Sequence, residues 1–190
     1  MTLEMIETLL RWSGGLMAWA TLGVVLYGIW RGTRHQAGRT SGRAAGWLRS
    51  SLFYLLAMAL FLAFSTLFWK PLPSTFSPAT RALALAAGTL TYFPGLAFLL
   101  WGRLVLGRMY FVSTSFGAQL YADHQLVTRG PFAIVRHPMY LGLIVAAIGS
   151  LWLYQTWTTV AFTVFAPFIL FRACSARADV SSTLEKEARE

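Results

Sequence analysis

From His124 to Gly142 the chain reads HQLVTRGPFAIVRHPMYLG, nineteen residues that hold two His, two Arg, two Gly and two Pro between long apolar runs. An imidazole placed beside an acidic proton can remove it. Pro138 sits where a helix would start, and a helix start presents backbone N–H groups able to hold a carboxylate. Gly130-Pro131 marks a turn. Each residue also has an ordinary role when taken alone. His137 suits a capping or interfacial imidazole, and Arg136 suits a charge that sets topology. In a membrane chain, however, irregular backbone crowded with Arg, His, Gly and Pro is tolerated only at the surface or around a wet site. Their coincidence points to a site.

The elements that carry this segment read as membrane helices. Of the 190 residues, 56% are hydrophobic and 12% charged, about half the charged fraction of an ordinary soluble domain. Leu9–Trp30 is the first expected span, with Trp12, Tyr27 and Trp30 towards its ends. Glu4 and Glu7 precede it where a leader would carry basic residues, and the apolar run exceeds a leader's, so an anchor is expected. Gly14, Gly15, Gly23 and Gly28 would let a neighbouring helix approach closely. Ser51–Trp69 is the second span, Lys70–Arg81 a loop with three prolines, and Ala82–Leu106 the third span. Pro94-Gly95 should kink that helix, and Arg103 should snorkel to the interface.

Beyond the polar stretch Gly107–Pro138, Met139–Phe171 is apolar for 33 residues, broken chiefly at Tyr154-Gln155. One helix of that length would reach about 50 Å, against a hydrocarbon core of about 30 Å. A helical hairpin, Met139–Leu153 and Thr156–Phe171, fits better. The expected fold is therefore all-α, a polytopic membrane helix bundle of about five transmembrane helices, the last two a short helical hairpin. Residues 1–106 would hold three N-terminal transmembrane helices with a basic cytoplasmic loop. Residues 107–190 would hold the polar segment, the hairpin and a short tail, Arg172–Glu190, on the cytoplasmic side.

The net charge of +9 does not point to nucleic acid, because no reading fold or aromatic platform accompanies it. Its distribution says more. With the N-terminus outside, thirteen basic residues lie inside, five of them in the loop Arg31–Arg49, and three lie outside: Arg11, Lys70 and Arg81. That bias obeys the positive-inside rule and turns the polar segment to the cytoplasm. Cys174 is the only cysteine, which excludes an internal disulfide and a Cys-based metal site. No metal is expected.

The pattern formed by His124, Leu126, Val127, Gly130, Phe132, Arg136, His137, Pro138, Tyr140 and Gly142 resembles the signature of the isoprenylcysteine carboxyl methyltransferase family and its phospholipid methyltransferase relatives. The resemblance covers Phe111 to Phe171 well and is only architectural before that. It implies an integral membrane methyltransferase that uses S-adenosyl-L-methionine, with the cofactor site facing the cytoplasm. A lipidic or prenylated acceptor would reach that site from the bilayer. Gln119, His124, Gln125, Leu126, Val127, Gly130, Phe132, Arg136, His137, Pro138, Met139 and Tyr140 are the implied cofactor residues. Phe132 stands where the family usually has Tyr and so lacks the hydroxyl. Arg172 and His137 are the implied catalytic residues, Arg172 facing the acceptor's polar head.

The resemblance also has a departure. The family places an acidic pair four or five residues after that Arg, where this chain has Ala176 and Arg177, with Asp179 the first acid and Glu185 and Glu187 later. The chain ends at Glu190, before the family's aromatic-rich tail. Two other readings therefore stay open. One is an NADPH-dependent membrane sterol-type reductase, since those enzymes share an Arg-His-x-x-Tyr stretch. The other is a non-catalytic membrane protein that keeps the scaffold. Pro138 and the His-x-Leu-Val strip favour the methyltransferase.

Overall fold

The structure, a computed structural model, describes residues 2–34, 51–73, 76–107 and 128–168. Five α-helices form within them: α1 Leu3–Arg34, α2 Ser51–Leu67, α3 Pro78–Leu106, α4 Pro138–Tyr154 and α5 Trp157–Phe168, with a short 3-10 turn at Gly130–Ala133. Among the described residues the only strand-like pairing is one antiparallel bridge, Pro71 with Thr156. The all-helical expectation holds.

Two helix starts differ from the sequence reading by a turn or more. Helix α1 starts at Leu3, so Glu4 and Glu7 lie inside it. Helix α3 starts at Pro78 rather than Ala82. Ser77 is its N-cap, with the side-chain oxygen accepting from the Thr80 N–H at 3.2 Å, and Pro78 occupies the first turn, where its missing N–H costs nothing. Serine and proline together start a helix in what composition alone marks as loop. Helix α3 then runs through Pro94 as one element.

Helices α3 and α4 form an antiparallel pair in which backbone meets backbone. A Cβ added at Gly88 would lie 2.8 Å from the Leu153 nitrogen, one at Gly95 2.5 Å from the Ala146 nitrogen, and one at Gly142 2.6 Å from the Leu99 nitrogen. At Gly149 an added Cβ would overlap the backbone of Tyr92. These glycines recur at seven-residue spacing on each helix, 88, 95 and 102 facing 142 and 149. A repeat of seven keeps one seam turned to a partner. Without side chains on the seam the axes close to backbone contact, the usual way to associate helices where lipid removes the hydrophobic drive.

Helix α1 packs parallel to α3. Glu7 pairs with Arg81, the Tyr92 hydroxyl donates to the Gly14 carbonyl at 3.2 Å, and Gly28 lies against Arg103. Its buried seam is again a heptad of small or polar residues, Glu7, Gly14, Thr21 and Gly28. Of the four glycines expected to pack, Gly14 and Gly28 do so closely, Gly15 has one distant neighbour, and Gly23 faces open space.

The hairpin expected from length is present. Helix α4 ends where Gln155 turns left-handed, φ 52 and ψ 49, and its N–H still reaches the Leu151 carbonyl at 3.1 Å. Thr156 and Thr159 then cap α5 reciprocally, each hydroxyl accepting the other's backbone N–H at 3.1 and 3.4 Å. The next two orphan N–H groups of α5 are met by the stretch after α2: Trp157 donates to the Lys70 carbonyl at 3.1 Å and Thr158 to the Phe68 carbonyl at 3.2 Å. Thr163 ties α5 back to α4 through the Ala147 carbonyl at 2.9 Å.

Leu3–Gly28 and Pro78–Leu106 are long and apolar enough to cross a membrane, while Leu55–Leu67, Pro138–Tyr154 and Trp157–Phe168 are shorter apolar helices. Large apolar side chains stand exposed along the outer faces, including Trp12, Leu16 and Trp19 on α1, Leu52 and Leu60 on α2, and Leu83 and Leu90 on α3. Contiguous apolar exposure of that kind suits lipid, not water.

Candidate functional site

The site residues within the described structure gather at the C-terminal end of α3. Its last turns form a platform. A Cβ added at Gly102 would lie 3.0 Å from Cγ of Met139 and 3.4 Å from Cγ of Pro138, so the start of α4 rests directly on α3. One added at Gly130 would lie 3.1 Å from Cγ2 of Val105 and 3.6 Å from Nε1 of Trp101. Gly130 has φ 64, a conformation glycine adopts without a Cβ penalty. It feeds the Gly130–Ala133 turn, which closes with N–H groups of Ile134 and Val135 on the Pro131 carbonyl at 3.2 and 3.0 Å.

Two prolines anchor the segment from within. Pro131 and Pro138 are both fully buried. Pro138 also dictates the conformation before it, since a residue preceding proline is pushed out of the helical region. His137 accordingly has φ −131 and ψ 65 and serves as the N-cap of α4 through its carbonyl, which accepts the Leu141 N–H at 3.1 Å. Its imidazole makes no capping bond to the helix. That ring instead stands 5.8 Å from the ring of Tyr140, tilted at 47°.

Phe132, His137, Met139 and Tyr140 are half-buried, and Arg136 is exposed. The arrangement sets two aromatic-type rings beside the positive end of a helix. Such an end attracts a carboxylate. Ring faces attract a cation.

Gly130, Phe132, Arg136, His137, Pro138, Met139 and Tyr140 are thus brought to one end of the bundle. Gln119, His124, Gln125, Leu126, Val127 and Arg172 lie outside the described residues. Trp101, Gly102 and Val105, which support the signature, escaped the sequence reading. The heptad Gly88, Gly95, Gly102 was the available signal for Gly102; Trp101 and Val105 had none. Among the described residues no three His, Cys, Asp or Glu side chains come together as a metal site.

Residues 90–179 match the model of the Isoprenylcysteine carboxyl methyltransferase (ICMT) family, a stretch from within α3 to beyond α5 that takes in every candidate site residue. No curated protein and no solved structure matches the chain.

Proposed function

We propose that this chain, whose residues 90–179 match the model of the isoprenylcysteine carboxyl methyltransferase family, is an integral membrane methyltransferase that draws on S-adenosyl-L-methionine and serves a lipidic or prenylated acceptor. The observation that carries this reading is the built start of α4, His137–Tyr140, lying inside the family match on the platform of α3. S-adenosylmethionine presents a carboxylate and a sulfonium, and the site offers a helix N-terminus and ring faces, so the donor set fits.

The residues that would hold the cofactor are Gly130, Phe132, Arg136, His137, Pro138, Met139 and Tyr140. Gln119 and the strip His124, Gln125, Leu126 and Val127 join them through the resemblance. When bound, the cofactor supplies a methyl group already activated by its sulfonium. The chain's own task is then alignment, and proximity with orientation accounts for much of the barrier in such displacements. A carboxylate acceptor needs no proton removed. For an amine or thiol acceptor His137 takes the proton, and the resemblance assigns Arg172 to the acceptor's polar head.

The proposed topology has about five spans, the N-terminus outside, and the site and tail in the cytoplasm. Parallel α1 and α3 support it, because a chain that spans twice in one direction must return between, and α2 is the apolar helix available. Charge agrees. Arg11 and Arg81 meet Glu7 at one end, whereas Arg103, Arg129 and Arg136 lie towards the other.

Calorimetry of the full chain in detergent tests the reading, with S-adenosylhomocysteine as ligand and NADPH as control. Micromolar binding of S-adenosylhomocysteine alone is expected, abolished in His137→Ala and retained in Arg172→Ala, which should instead lose turnover. Binding of NADPH alone would favour the reductase; binding of neither would leave the scaffold.

A further inference from the structure

Arg103 was expected to reach for the interface, yet it is 7% exposed. Its guanidinium runs across the face of α1 at Gly28, where any Cβ would overlap Nη2 and lie 2.6 Å from Nε. Nη1 donates to the Gly107 carbonyl at 3.1 Å, one turn on. Gly107 in turn, at φ 49, gives its N–H to the carbonyls of Arg103 and Leu104 and ends the helix. A cation at a helix C-terminus is favoured by the peptide dipoles. A buried one still needs a fixed set of partners to offset its lost hydration.

The neighbours of Arg103 on α3 are the residues that carry the signature. Gly102 supports Pro138 and Met139, while Trp101 and Val105 support Gly130. One turn of helix therefore joins α1 on one side to the whole described site on the other. We infer that Arg103 is a positioning residue for the cofactor site. Lodged in the hollow at Gly28, it holds the last turn of α3, and through Gly102 it holds the start of α4 at His137–Tyr140. It touches neither cofactor nor acceptor. The inference rests on the proposed methyltransferase reading for what is positioned, but not for the positioning itself.

Two measurements on the full chain in detergent test it, with Gly23→Ala as control because a Cβ there meets nothing within 4 Å. The first is amide exchange at Leu141 in cofactor-free protein. Arg103→Met and Gly28→Ala should quicken it by about tenfold or more, while Gly23→Ala leaves it unchanged. The second is S-adenosylhomocysteine affinity well below the melting midpoint. It should fall by about tenfold in both variants and largely recover in Arg103→Lys, which keeps the charge and a donor for Gly107. Unchanged exchange at Leu141, or wild-type affinity in Arg103→Met, overturns the inference. A wild-type protein that binds no S-adenosylhomocysteine overturns the methyltransferase reading instead, and Leu141 exchange still decides the role of Arg103.

Discussion

The two ends of the bundle are held by different physics. At the end that carries Glu7, side chains make long-range directional bonds. Glu7, 4% exposed, takes Arg11 at 2.6 Å and also Arg81. Nε of Arg11 donates to the Leu153 carbonyl at 3.0 Å, and the Tyr154 hydroxyl to the Arg11 carbonyl at 2.9 Å. Three helices are tied there by their own functional groups. At the end that carries His137, the contacts include close backbone approach at Gly102, a left-handed turn at Gly130 and two buried prolines, with the Arg103 side chain bracing α3 against Gly28. Backbone approach and proline seat the start of the last helix pair there.

Substitutions can break this contrast. Gly149→Val should have the largest effect, because it drives a branched side chain into the Tyr92 backbone on the seam shared by both ends. A loss above about 4 kcal/mol, read as failure to recover folded protein from detergent, is expected for such overpacking. Glu7→Ala comes next. It leaves two half-exposed arginines without their carboxylate and should cost about 1–3 kcal/mol in denaturant melts, with S-adenosylhomocysteine affinity unchanged. Affinity that falls with Glu7 would mean the ends are coupled and the division is false. Ser77→Ala should be the mildest. It removes only the cap on Thr80 and should cost about 0.5–1 kcal/mol by the same melts.

Much of the fold was legible in the sequence where a length argument applied. A 33-residue apolar run exceeds one bilayer crossing, and the break read at Tyr154-Gln155 is where α4 ends. Boundaries set by single polar residues were harder. Glu7 looked like sequence ahead of a span because its two arginine partners are 4 and 74 positions away, and only the second requires the fold. Arg103 looked like a snorkelling residue because the hollow at Gly28 belongs to another helix. The glycine seams were written plainly at seven-residue spacing, yet Gly23 shows why glycine alone is a weak signal, for it packs against nothing. In the site, the residue types from Gly130 to Tyr140 were readable because proline and glycine enforce local geometry. The partners that hold them come from α3 and leave no mark beside the signature.

The cap on α5 has a consequence for substitution. Its first N–H groups find their acceptors on Phe68 and Lys70, main-chain atoms made long before Trp157 leaves the ribosome. No helix satisfies its own first N–H groups, so the start of α5 depends on the stretch that follows α2. Because the docking atoms are carbonyls rather than side chains, that dependence survives substitution at Phe68 and Lys70.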